Sequence, residues 1–443
     1  MPRKKKTSYN TEISDLGPAK IQTQLRHPRY VDDKTPLCVT LTSDDLSELG
    51  DENVTMHFVK AGPRKKLYFD ASKTKCAIVT CGGLCPGIND VIRSIVMEGY
   101  YNYGIRSVLG IRNGLRGFIP EYGYDVLELT PENVSNIHHF GGTVLGSSRG
   151  PQDPAEIVDS LERLNINVLF VIGGDGSMRA AKAICEEISN RQRKIAVIGI
   201  PKTIDNDINF VSRSFGFDTA VEKATEAIQC AHVEASGVDK GVGLVKLMGR
   251  HAGFIAAQAT LALQEVNFLL VPEQKFTLDG EHGFLAALER RLEQRNHAVI
   301  VCAEGAGQDL MTDEVGRDAS GNLKLGDICG LLNRKIREYF TKRDYEMHMK
   351  FIDPSYIIRS VPANAGDRIY CGFLGQNAVH AAMAGKTGMV VTQLKSNTVY
   401  LPLELVAGKT RKLNIDSDYW YTVMESTGQQ DYFQGKQVRV PKS

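Results

Sequence analysis

Val171-Ile172-Gly173-Gly174-Asp175-Gly176-Ser177 is an apolar run that breaks into two glycines, an aspartate and a third glycine. Such a run reads as a buried strand, and a glycine-rich strand end lets backbone N–H groups approach a polyphosphate closely. The aspartate is a ligand type for the hard cation that neutralises such phosphates. Glycine and aspartate are also ordinary turn residues, so the motif draws its meaning from its neighbours.

Outward from it, similar runs lie at Cys76 to Thr80, Val168 to Ile172, Ile195 to Ile200, Val242 to Leu247, Phe268 to Val271, Ala298 to Cys302 and Met389 to Thr392. Most are apolar throughout rather than alternating, the pattern of parallel strands covered on both faces. Helical segments separate them. Asp153-Pro154 supplies a cap and a first-turn proline, after which Ile157, Leu161 and Leu164 share one face. Alternating β and α units predict an α/β fold, and 443 residues exceed what one core usually holds, so two lobes with a cleft between them are expected. Residues 1 to about 70 are polar with weak periodicity, an extension wrapped on the later core.

With 53 basic and 52 acidic residues, the charge balance argues for neither nucleic acid nor a membrane surface. No apolar stretch approaches the roughly 18 residues of a membrane span. The basic start Arg3-Lys4-Lys5-Lys6 lacks the apolar run of a signal peptide and reads as a solvated tail. Nine scattered cysteines without a C-x-x-C pair fit reduced thiols, so a soluble cytoplasmic protein is expected. Ala-Gly-Lys-Thr occurs twice, at Ala384 to Thr387 and Ala407 to Thr410. A P-loop would need glycine where His380 and Leu403 stand, so both are read as helix-ending glycines before loops.

Polar motifs follow several of the strands, at the carboxyl edge where open α/β sheets bind ligands. Cys81-Gly82-Gly83-Leu84-Cys85-Pro86-Gly87 opens a helix from Val91 to Met97 and offers amides to a phosphate. The loop Gly141 to Gly150 carries Arg149 as its one strong anion ligand. After Ile200 comes Pro201-Lys202-Thr203-Ile204-Asp205-Asn206-Asp207, with two carboxylates, a hydroxyl and an amine at one strand end. Phosphoryl transfer to an alcohol needs a base, a metal bridging the phosphates and cations on the equatorial oxygens. Asp205, Asp175 and Arg149 or Lys202 supply that set. Lys246-Leu247-Met248-Gly249-Arg250-His251, Cys302-Ala303-Glu304-Gly305 and Asp353-Pro354-Ser355-Tyr356-Ile357-Ile358-Arg359 add guanidinium, carboxylate and phenol groups suited to an anionic sugar. His251 itself reads as a surface or core histidine.

Gly-Gly-Asp-Gly at Gly173 to Gly176, Pro-Lys-Thr-Ile-Asp-Asn-Asp at Pro201 to Asp207 and Met-Gly-Arg at Met248 to Arg250 together resemble the 6-phosphofructokinases, over roughly residues 71 to 410. The extension and the loop Gly141 to Pro151 look most like the long enzymes of protists, plants and spirochaetes. The resemblance implies two Rossmann-like lobes with mainly parallel sheets and an active site in the cleft between them. A nucleotide-binding lobe would span 71–216 plus about 357–410, and a sugar-phosphate lobe 217–356 plus about 411–443. The implied reaction moves the γ-phosphate of ATP, with Mg2+, to O1 of fructose 6-phosphate in glycolysis. Asp205 is then the base, with Thr203, Asp207 and Arg250 as its catalytic companions, and Asp175 the metal ligand. Gly83, Arg149, Gly150, Gly174, Asp175, Gly176 and Ser177 fall on nucleotide positions. Thr203, Ile204, Asp205, Met248, Gly249, Arg250, Glu304, Tyr356, Ile357, Ile358 and Arg359 fall on sugar-phosphate positions. A homo-oligomer, dimer or tetramer, is also implied, and allosteric control is left open by the resemblance.

Two positions speak to the phosphoryl donor. Lys202 is typical of the pyrophosphate-dependent branch, whereas Gly176 leaves open the α-phosphate region that an aspartate there would fill and repel. The steric argument favours ATP, with pyrophosphate the alternative donor and an inactive sugar-phosphate sensor or regulatory subunit the alternative of another class. Near Lys240 and Gly241 the chain also lacks an arginine that short bacterial enzymes extend to a neighbouring subunit's substrate.

Overall fold

The computed structural model describes residues 9–26, 29–42, 45, 54–311, 316 and 324–429; the basic start at Arg3 to Lys6 lies outside them. The chain divides into two compact units. Met1–Ile204, Ile208–Gly216 and Ser360–Thr410 form one, and Asp205–Asp207, Phe217–Arg359 and Arg411–Ser443 the other.

Among the described residues, the first unit is built on a nine-stranded sheet. Its parallel centre runs in the order Met389–Leu394, Ala196–Pro201, Val168–Gly173, Lys75–Thr80, Ser107–Ile111. Val168–Gly173 is buried along its whole length, as a strand covered on both faces must be. Antiparallel strands extend both sides, with Asn397–Pro402, Val54–Lys60 and Leu37–Leu41 on one and Leu127–Glu128 on the other. The N-terminal extension therefore builds sheet, adding Val54–Lys60 and Leu37–Leu41. Both strands are buried on alternate residues only, which is why they carry no continuous apolar signal.

The second unit holds a four-stranded sheet, parallel throughout, in the order Phe268–Leu270, His297–Ala303, Gly241–Leu247, His348–Ile352. His348–Ile352 is an edge strand with mostly exposed side chains, and its composition does not announce it. Each unit has its own core. Ile111, Phe118, Leu161 and Val171 belong to the first; Leu244, Phe284, Ile300 and Phe340 belong to the second.

Local signals behave as chain physics requires. Asp153 caps the helix Pro154–Arg163 by accepting the Ala155 N–H, and Ile157 and Leu161 are buried beneath it. The helix after the first glycine turn starts at Ile88 rather than Val91. Its cap, Gly87, sits at φ 100°, where a Cβ would lie 2.6 Å from the Cys371 Sγ, so no other residue fits. Both Ala-Gly-Lys-Thr segments end helices: Gly385 and Gly408 follow Ala365–Met383 and Leu403–Val406 at φ 82° and 77°. No described helix is long and apolar enough to cross a membrane, and all nine cysteines are free thiols.

Lys386, the lysine of the first Ala-Gly-Lys-Thr, fastens the N-terminal segment. Its buried ammonium lies 3.0 Å from Asp15 and 2.8 Å from Asp33, and the buried Arg64 reaches Asp33 at 2.7 Å. Burial acts to raise the Asp33 pKa, but the Lys386 and Arg64 partners outweigh it and hold the carboxyl below its ordinary range. Both carboxylates are nearly half exposed, so Lys386→Met is expected to cost only about 1–2 kcal/mol. Limited proteolysis should then cut the first 36 residues sooner. A depressed carboxylate stabilises above its unfolded pKa and ceases to as pH falls through the folded one, so acid should loosen the same segment in the wild type. Equal cleavage rates in wild type and variant would remove this role from Lys386.

Candidate active site

In the first unit, parallel pairing sets the geometry. Thr80 pairs with Ile172 and Gly173 with Pro201, so three strands end at one level and release their glycine and lysine turns side by side. The turns are then laced together. Gly82 donates to the Ser148 carbonyl at 3.2 Å, and the Ser147 hydroxyl donates to the Gly82 carbonyl at 2.6 Å. Lys202 donates its amide to Gly173 O at 2.9 Å, and its buried ammonium donates to Gly83 O at 2.7 Å. A Cβ on Gly83 would stand 3.8 Å from the Arg149 guanidinium, so Gly83, Arg149, Gly173, Gly174 and Lys202 lie within one small region. Gly150, beside the exposed Arg149, takes φ 97°.

Asp175 and Gly176 open the helix Asp175–Asn190, where unsatisfied amides and the helix dipole favour an anion. Ser177 is buried, and its hydroxyl lies 2.2 Å from where a Gly173 Cβ would be, which excludes any side chain at Gly173. Gly176 is exposed, and a Cβ there would meet only the Arg179 guanidinium at 3.9 Å. Asp175 makes two contacts: one oxygen lies 3.2 Å from Arg179, one helical turn on, and the other accepts the Gly408 N–H at 2.5 Å, a contact with no sequence signal. Gly408 belongs to the second Ala-Gly-Lys-Thr, and only its position in the fold gives it this task. Among the described residues, no cluster of three or more His, Cys, Asp or Glu side chains could hold a metal ion.

The strand Ala196–Pro201 continues into Lys202, Thr203 and Ile204, with Ile204 buried and the Thr203 carbonyl accepting from the Ser214 hydroxyl at 2.7 Å. Asp205–Asp207 belongs to the second unit. Asp205 and Asp207 are half-buried, and Asn206 between them takes a left-handed φ of 54°.

The second unit repeats the device. Leu247 pairs with Ala303 and Val245 with Ile352, so Met248, Gly249 and Arg250, Glu304, and residues 353–359 leave one carboxyl edge. Gly249 sits at φ 137° and accepts the Gly305 N–H at 3.1 Å. Lys246 and Asp353 form an ion pair of 3.1 Å there. Burial raises the Glu304 pKa above the ordinary carboxyl range, with Lys246 and Arg250 opposing it. In the helix Ser355–Ser360, Tyr356 and Ile357 are exposed, Arg359 stacks 4.8 Å over the Tyr356 ring, and Ile358 is buried in the core. Of these four, Ile358 alone has its side chain turned away from solvent. His251 is exposed beside Arg250.

A sequence profile described as Phosphofructokinase matches residues 75–382. The chain belongs to the phosphofructokinase family. It is 46% identical over 443 aligned positions to the ATP-dependent 6-phosphofructokinase of Borreliella burgdorferi, covering 97% of this chain and 99% of that one. ATP-dependent 6-phosphofructokinase 7 of Arabidopsis thaliana is 45% identical, with 93% and 84% covered. Among solved structures, the pyrophosphate-dependent phosphofructokinase of Marinobacter aquaeolei superposes with a TM-score of 0.67, covering 83% of this chain and 95% of that one. At 21% identity that likeness speaks for the shared α/β fold alone.

The electrostatics of Glu304 give a measurable consequence. An acid whose pKa is raised by folding favours the native state below its unfolded pKa and ceases to as pH rises through the folded value. Glu304→Gln removes that charge, so the variant should be at least as stable as the wild type at pH 7, with a flatter stability profile towards neutrality. Denaturant unfolding across pH reads this, and a variant that loses more stability from acid to neutral pH than the wild type does would contradict it.

Proposed function

We propose that this phosphofructokinase transfers the γ-phosphate of ATP to O1 of fructose 6-phosphate, giving fructose 1,6-bisphosphate and ADP in glycolysis. The observation that carries the reading is the convergence of Gly83, Arg149, Asp175 and Lys202 at one sheet edge, with room for a side chain at Gly176, where a Cβ would meet only the Arg179 guanidinium in ordinary contact. The names of its relatives support ATP as the donor.

Phosphoryl transfer of this kind asks mainly for positioning and charge neutralisation. Amides at Gly83, Gly174 and Gly176 and the Ser177 hydroxyl cradle the donor phosphates, with Arg149 and Gly150 beside them. Asp175 would hold Mg2+, which would supply positive charge against the donor phosphates. The residues fit that ion: one carboxylate on the first turn of a helix beside the glycine turns suits a cation that keeps waters and arrives on the nucleotide. The acceptor side is made by Thr203, Ile204 and Asp205 with Met248, Gly249, Arg250, Glu304, Tyr356, Ile357, Ile358 and Arg359, the Ile358 contribution being its backbone. Asp205 takes the proton from the sugar hydroxyl, Asp207 and Thr203 support it, and Arg250 offsets charge on the transferring group.

Lys202 is the observation favouring pyrophosphate as the donor. Its ammonium, however, is engaged by the Gly83 carbonyl, which makes it part of the scaffold of the glycine turn. A lobe of residues 71–216 and about 357–410 for nucleotide, a lobe of 217–356 and about 411–443 for sugar phosphate, a dimer or tetramer, and a cytoplasmic location belong to the same proposal.

Turnover with fructose 6-phosphate and Mg2+ should be faster with ATP than with pyrophosphate, and the reverse order would overturn the donor assignment. Asp205→Asn should lower kcat by about 10²–10⁴-fold while sugar-phosphate binding measured by calorimetry persists. If wild type and variant bind the sugar equally and neither turns over, the chain is a sensor instead. Gly176→Asp has room for its side chain, so it should fold normally yet raise the KM for ATP by about tenfold or more through repulsion of the phosphates. An unchanged KM would deny Gly176 any part in donor choice.

A further inference from the structure

Resting on the phosphoryl-transfer reading, the geometry points to Arg411 as a positioning residue for the turn Asp205–Asp207 that carries the base. Asn206, buried in the middle of that turn, holds a left-handed φ of 54°, a conformation that asparagine tolerates better than most non-glycine residues and that the surroundings must still select. Arg411 imposes it on two successive carbonyls. Its guanidinium donates to Asn206 O at 3.2 Å, and its own backbone N–H donates to Asp207 O at 2.6 Å. The 206–207 and 207–208 peptide planes, the second and third after the base, are therefore oriented by one residue.

Arg411 is itself fixed on several sides. It is buried, and its guanidinium lies 4.6 Å over the Phe254 ring, an arrangement that suits a planar cation. Two residues on, Leu413 donates its amide to Glu273 at 2.8 Å, and the same carboxylate accepts the Gly253 N–H at 3.1 Å next to Phe254. The chain is thus pinned around the stacked guanidinium by a half-buried carboxylate and a backbone pair. All of these residues belong to the second unit. Arg411 need touch neither substrate: by fixing the peptide planes of the turn it fixes where the Asp205 carboxylate points, and misplacement of a reacting group by about 1 Å lowers rates by around 10²-fold.

The test is Arg411→Met, which keeps the backbone N–H and an apolar stem against Phe254 but removes the guanidinium. We expect kcat to fall by about 10- to 100-fold with the KM for ATP and for fructose 6-phosphate nearly unchanged. Added guanidinium ion, but not an equal concentration of sodium chloride, should restore part of the rate, and Arg411→Lys should retain more activity than the methionine variant. Hydrogen exchange of the amides of residues 206–209 should quicken in Arg411→Met, a readout that needs no turnover. The inference fails if kcat stays within twofold of wild type, if exchange in the turn is unchanged, or if kcat, both KM values and thermal stability worsen together without rescue. A wild type that does not turn over ATP and fructose 6-phosphate would defeat the functional reading alone, and the exchange measurement would still decide the positioning role.

Discussion

The register of parallel strands is the constraint on which the rest of this molecule depends. Because Thr80, Ile172, Gly173 and Pro201 sit at matched levels, the turns beyond them have no choice but to meet. A turn leaving a buried strand brings unpaired amides and carbonyls with it, and those groups must find partners or face a ligand. The lattice of Gly82, Ser147, Gly83 and Lys202 satisfies some of them, while no side chain caps the start of the helix Asp175–Asn190. The second unit obeys the same rule with a different population of side chains, guanidinium, carboxylate and phenol in place of glycine and hydroxyl.

The same rule decides how much of the molecule is legible in its sequence. Buried parallel strands advertise themselves as continuous apolar runs, so Val168–Gly173, Ala196–Pro201 and His297–Ala303 can be read from composition. Their turns can be read from glycine, because only glycine survives where a Cβ would strike Ser177 or Cys371. Edge strands such as Leu37–Leu41 and His348–Ile352 give no such signal, since more than half of their side chains are not buried. The helix begins at Ile88, ahead of the expected Val91, because apolar periodicity marks where a helix packs, whereas Gly87 marks where its backbone begins.

Long-range partners are the part that cannot be read. Gly408 donates to Asp175 across 233 positions of chain, and Arg411 reaches Asn206 across 205. Neither partner carries a motif that suggests its task. The two Ala-Gly-Lys-Thr copies show how little local identity decides: the first puts a buried lysine on Asp15 and Asp33, while the second puts a glycine amide on Asp175. In each case the tetrapeptide merely ends a helix, and the function of the residue comes from the group that the fold brings opposite it.

The two donor-related residues illustrate the same separation between residue type and role. A lysine after a buried strand suggests a phosphate ligand, because an ammonium is a mobile point charge. Lys202 is nevertheless buried, and it is held by the Gly83 carbonyl at 2.7 Å. A cation fixed in this way still adds positive potential to the cradle, which favours any polyphosphate without distinguishing a short one from a nucleotide. Gly176 differs in kind, since its effect is the space and the missing charge beside Asp175 on an exposed first turn. Discrimination between donors that share their terminal phosphates must come from the groups attached beyond those phosphates, and a position that excludes or admits bulk there decides more than one that attracts both. On the proposed reading, the donor preference is carried by the missing side chain at Gly176, while Lys202 shapes a cradle that either donor would use.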